Sequence, residues 1–78
     1  MKINNREMIE EMNREMIECN GDGEVGLEEY MIGVYGYGMG ERLDERLRMK
    51  GKLRGDVKKM FNMNIGIDMK RECVYLVD

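Results

Sequence analysis

Between Glu18 and Glu29 the chain sets oxygen-bearing side chains at every second position, Glu18, Asn20, Asp22 and Glu24, and adds another at Glu29. Hard cations such as Ca2+ take about six to eight oxygen ligands, and such spacing in a loop lets successive side chains converge on one point. Gly21 and Gly23 fall inside the same stretch, "ECNGDGEVGLEEY", where a sharp reversal needs residues without a Cβ. A simpler reading uses the same residues. Asn-Gly and Asp-Gly are strong turn signals, so "NGDG" can merely reverse the chain between two elements.

Either role depends on the flanking elements. "NREMIEEMNREMIEC" carries the pentapeptide REMIE twice, at Arg6 and Arg14, and places Met8, Ile9, Met12, Met16 and Ile17 at helical spacing. With Asn4 or Asn5 as N-cap, the pattern predicts a helix over residues 5–18. Its methionine stripe reads first as core. Met8, Met12 and Met16, with Met60, would also suit an adaptable apolar face for a protein or peptide partner. The segment "YMIGVYGYGMG" has glycines at 33, 36, 38 and 40, which either end a helix begun near Gly26 or follow a short strand of Ile32, Val34 and Tyr35. From Glu41 to Phe61, Leu43, Leu47, Leu53, Val57, Met60 and Phe61 keep helical spacing with acids leading and bases trailing, as the helix dipole favours. Gly51 and Gly55 predict a break or kink there. Cys73–Val77 reads as a strand or a short apolar helix.

In this setting the opening stretch resembles the EF-hand family. Counting Glu18 as first, Asn20 is third, Asp22 fifth, Gly23 sixth, Val25 eighth and Glu29 twelfth, as the family's calcium loop requires. The resemblance implies Ca2+ as the ligand. Asn20 and Asp22 would give side-chain oxygens, Glu24 its backbone carbonyl, Gly26 a bridging water and Glu29 both carboxylate oxygens. Val25 would join a β-bridge to a second loop, and Gly23 would take a positive φ. Two departures point to weak affinity, ~10⁻⁴ M or poorer on the family's range: Glu18 stands where the family has Asp, and Asn13 and Arg14 stand where it has apolar residues. A degenerate partner loop is found in "FNMNIGIDMKRE", with Phe61, Asn62, Asn64, Gly66 and Glu72, one residue short and not expected to bind metal. The implied fold is mainly α, a paired helix-loop-helix with a short β-bridge. The residues alone leave open a small α+β domain with strands near 30–35 and 73–77.

Composition narrows the function classes. The 78 residues make one small domain, of a size at which stability is marginal without an extra staple such as an ion or a partner chain, a second copy included. Bases number 13 and acids 16, interleaved along most of the chain, which argues against a nucleic-acid partner. No apolar run is long enough to span a bilayer, so no membrane role is expected. Cys19 and Cys73 are too few for a disulfide framework and read as reduced thiols of a cytoplasmic protein, a single bridge between them being the lesser alternative.

The chain has no His, Ser or Thr, so triads, histidine bases and histidine metal sites are impossible, and no enzyme is expected. Ala, Pro, Gln and Trp are missing too. Every residue type present can be encoded without cytidine, which raises the alternative of a restricted-alphabet, selected or designed protein that folds and acts at most through protein contacts. A third reading takes the glycines at 36–40 for a nucleotide-binding turn, although their spacing is G-x-G-x-G and not the dinucleotide fingerprint. The glutamates of residues 7–18 read as a solvated helix face, and the RGD of Arg54–Asp56 as surface charge within a helix.

Overall fold

The computed structural model describes residues 2–19 and 23–77. The elements run α1 (Arg6–Glu18), β1 (Glu24–Gly26), α2 (Leu27–Tyr35), α3 (Leu43–Phe61), β2 (Ile65–Asp68) and β3 (Cys73–Leu76). The chain is therefore mainly helical, with a small antiparallel sheet ordered β1-β3-β2.

Helix α1 forms where its periodicity predicts. Asn5 caps it, the side chain accepting a hydrogen bond from the Met8 N–H at 3.2 Å. Ile9, Met12, Asn13 and Met16 form its buried stripe. Helix α2 occupies the segment that also suited a strand, and it ends at Gly36, whose φ of 87° needs a glycine. Two carbonyls of its last turn, Gly33 and Val34, accept the N–H groups of Asn5 and Asn4 at 2.8 and 3.1 Å. The start of α1 thus closes the end of α2. Gly33 lets the helices touch, because a Cβ there would stand 2.5 Å from Cδ1 of Ile9.

Helix α3 runs unbroken through Gly51 and Gly55, contrary to the expected kink. Its acidic first turn, Asp44 and Glu45, and basic last turn, Lys58 and Lys59, suit the dipole. Leu53 and Val57 anchor it, each fully buried and worth about 1.5–3 kcal/mol. They meet Tyr30, Met31, Leu27, Ile9, Met16 and Val74 in one core.

The second half departs from a helix-loop-helix. Where a degenerate loop and a following helix were expected, β2 and β3 form a hairpin, Ile67 opposite Val74 and Gly66 opposite Tyr75. The Asp68 carboxylate accepts the N–H groups of Lys70 and Arg71 at 3.0 and 3.1 Å, turning the chain. Gly66 leaves room for the Tyr75 ring to lie over it. The run from Cys73 to Leu76 holds one β-branched and one aromatic residue, and pairing with both β1 and β2 fixes it as a strand. Here the strand expected near 73–77 forms, while the one near 30–35 does not.

Candidate cation site

The last turn of α1 brings the chain to Glu18, and Cys19 caps it. Asn20 and Asp22, the third and fifth positions of the calcium loop, lie outside the described residues. Gly23 returns against the helix just left: a Cβ there would fall 2.7 Å from the Glu15 carbonyl oxygen and 3.0 Å from Cys19 Cβ. Packing alone therefore requires glycine at 23.

Strand β1 follows at once, with Val25 opposite Val74 and buried. The Leu27 N–H donates to the Glu72 carbonyl at 2.9 Å. Hydrogen-bonded pairs alternate along an antiparallel ladder, so Val25 and Val74 form the next such pair, and Glu24 turns its carbonyl away from β3. That carbonyl faces the free edge of β1, which has no neighbouring strand on its other side among the described residues. The Val25 β-bridge thus forms, with β3 as its partner and not a second loop. The Glu24 side chain is engaged elsewhere. Both its oxygens accept from Arg71, at 2.8 and 2.7 Å, a forked pair tying β1 to the hairpin turn.

Glu29 lies in the first turn of α2, two residues inside the helix start at Leu27. Its carboxylate folds back over Gly26, Oε2 lying 3.6 Å from where a Cβ on Gly26 would be. Glu18 behaves differently. It borders an open groove with Ile17, Phe61 and Met63 between the end of α1 and the end of α3. Among the described residues, no three Asp, Glu or Cys side chains converge on one point. The backbone arrangement and Glu29 suit a cation loop, whereas Glu18 does not join them.

The polar residue on the apolar face of α1 has a partner. Asn13 is buried, and its Oδ1 accepts the Tyr30 hydroxyl at 2.6 Å, fastening α1 to the first turn of α2 directly after Glu29. Burial raises the Tyr30 pKa well above its ordinary value, offset in part by that hydrogen bond. No periodicity could reveal this pair, because its members belong to different elements.

A second polar cluster also escaped the sequence. The Tyr35 hydroxyl donates to Asp56, Tyr37 stacks on the Tyr35 ring with centroids 5.6 Å apart, and Lys52 Nζ stands 4.7 Å from its centroid. Burial and the adjoining Asp56 carboxylate push the Tyr35 pKa upward. Asp56, the aspartate of the RGD triplet, is thereby held within α3.

The methionine stripe is largely core. Met12 and Met16 are buried and Met8 and Met60 partly so. The glycine-rich segment follows a helix, so the strand that a dinucleotide turn requires is not in front of it. Cys19 and Cys73 are free thiols, the first exposed and the second buried. Burial, then the charge of Glu24, raises the Cys73 pKa. No helix among the described residues is long and apolar enough to cross a membrane. Compared with family models, curated proteins and solved structures, the chain finds no match.

Proposed function

We propose that the chain is a non-catalytic, weak calcium-binding module whose loop runs from Glu18 to Glu29. The observation that carries this reading is the order of elements around the loop. Helix α1 ends at Glu18, β1 spans Glu24–Gly26 with the Glu24 carbonyl turned to the free edge, and α2 begins at Leu27 with the Glu29 carboxylate folded back over Gly26. Asn20 and Asp22 complete the donor set from sequence. Affinity is low because Glu18 must leave its groove, and because the Arg71 guanidinium beside Glu24 adds positive charge nearby. The two free thiols suit a reducing, cytoplasmic setting.

Calcium titration followed by amide shifts and thermal midpoint tests the proposal. Shifts centred on Gly23 to Glu29, with a rise in midpoint at millimolar Ca2+, are expected. Glu29→Gln should abolish both while preserving helix content. No response at millimolar Ca2+ would sink the calcium reading. The alternative is a folded protein of restricted alphabet acting through protein contacts, with "NGDG" as a turn. The packing of Gly23 against Glu15 favours it, since the glycine is then explained without an ion.

A further inference from the structure

The outer face of α3 takes no part in the core or in the cation loop. Only Leu53 and Val57 of this helix are fully buried. On the opposite side Leu47, Gly51 and Gly55 recur four residues apart and form one ridge, with Leu43 a turn earlier. Leu43 is 70% exposed and Leu47 is 55% exposed, although leucine is ordinarily drawn to the core. Open space surrounds the glycines, with no atom within 4 Å of a Cβ added at either. An open groove of about 430 Å³ runs along them, bordered by Arg54, Ile65 and Val77.

Charge frames this ridge. Helix α3 carries seven bases against three acids, whereas α1 carries two bases against five acids. Lys50, Arg54 and Lys58 occupy the adjoining row on one side of the ridge, and Arg48 lies on the other. None of these four forms an ion pair among the described residues. The acids of α3 leave them little local compensation. Asp44 pairs with Arg42, Asp56 accepts from Tyr35, and Glu45 lies in the first turn.

We infer that this face docks an acidic amphipathic helix of a partner protein. The leucines would interdigitate with the partner's apolar row, the glycines would let the two backbones approach closely, and the flanking cations would meet its carboxylates. Other occupants fit less of this pattern. A nucleic-acid strand would use the cations but leave Leu43 and Leu47 in water. An anionic membrane would take up those leucines but would gain nothing from Gly51 and Gly55, which have no side chain to insert. A second copy of α3 brings the same positive charge. The α1 of a second copy is acidic, but Ile9, Met12 and Met16 are committed to its own core and Ile17 alone of its apolar residues is exposed, too little to match the leucine row. The inference does not depend on ion binding at the loop.

A fluorescent synthetic peptide of Leu and Glu, with leucines at helical spacing, tests it by anisotropy. The comparison is a scrambled peptide of the same composition. The patterned peptide should bind, increasingly weakly as salt rises, and the scrambled one should bind at least about ten-fold less tightly. Leu43→Lys combined with Leu47→Lys adds positive charge while removing the apolar contacts. It should lower affinity about ten-fold or more, with the circular dichroism of the fold unchanged. Gly51→Leu should block the groove to a similar extent. Equal binding of both peptides, or undiminished binding by the double lysine variant, would reduce the face to a charge effect and overturn the inference. Stronger binding to phosphatidylserine vesicles or to a single-stranded oligonucleotide, or self-association of the chain through this face, would overturn it too.

Discussion

Asn13 shows how one residue can look misplaced in a sequence and be well placed in the fold. Read along α1 it is a polar intrusion into an apolar stripe and a fault in the EF-hand register. In three dimensions it accepts the hydroxyl of Tyr30, and both residues are buried. The energetic consequence lies in the asymmetry between losing one partner and losing both. Tyr30→Phe leaves the Asn13 carbonyl oxygen buried without its donor and should cost about 1–3 kcal/mol. Asn13→Leu should cost a similar amount, since it strands the hydroxyl. The double variant should lie closer to wild type than the sum of the two, because an apolar pair has no polar group left unpaired. Urea midpoints at constant slope measure all three. Strict additivity would show that the two groups do not depend on one another. Gly23 is a further case at this scale, since the sequence assigned it to a positive φ while the structure shows a backbone pressed against Glu15.

The elements differ in how openly the sequence declares them. Helix α1 was legible because apolar residues, the buried Ile9, Met12 and Met16 among them, repeat at helical spacing behind an Asn cap. The hairpin was not legible, since Cys73–Leu76 is too short for periodicity to decide and its strand character comes from pairing with both β1 and β2. Of the candidate site, β1 and the start of α2 followed from the family spacing. The contact of Glu24 with Arg71 did not, because that partner arrives from the far end of the chain. Glycine was the least reliable signal. Gly33, Gly51 and Gly55 all sit inside helices, for opposite physical reasons. At 51 and 55 a methyl group meets open space, so Gly51→Ala and Gly55→Ala should each raise stability by about 0.5–1 kcal/mol by restricting the unfolded chain. At 33 a methyl group meets Ile9, and Gly33→Ala should instead lower stability by about 1–3 kcal/mol through overpacking. Thermal melts of the three variants check the signs. Destabilisation at 51 or 55 would mean that α3 is not the continuous helix described.

For the molecule as a whole, α2 is the element to which the other two helices are fastened, and it is fastened by tyrosines. Tyr30 reaches α1 through Asn13, and Tyr35 reaches α3 through Asp56. Both hydroxyls are removed from water, and the Tyr35 bond to a carboxylate also requires the phenol proton, which couples the tertiary structure to alkaline pH. Burial is the main reason that the folded state holds each proton above the ordinary tyrosine value of 10.0, with Asp56 adding to the effect at Tyr35. The unfolded chain releases the same protons near that ordinary value. Below it, both states are protonated and the contribution to stability is complete. Above it, only the unfolded state gains by ionising, and stability falls progressively as pH rises toward the folded-state values. The pH dependence that these residues give the thermal midpoint should therefore vanish below about pH 10, and the midpoint should fall steeply above it. Tyr30→Phe and Tyr35→Phe should each flatten the alkaline limb while starting from a lower midpoint at neutral pH. Tyrosinate absorbance recorded together with circular dichroism gives the sharper test. Tyr30 and Tyr35 should ionise only as helix signal is lost. If all four tyrosines of the chain titrate while the helices persist, neither hydroxyl is holding the elements together.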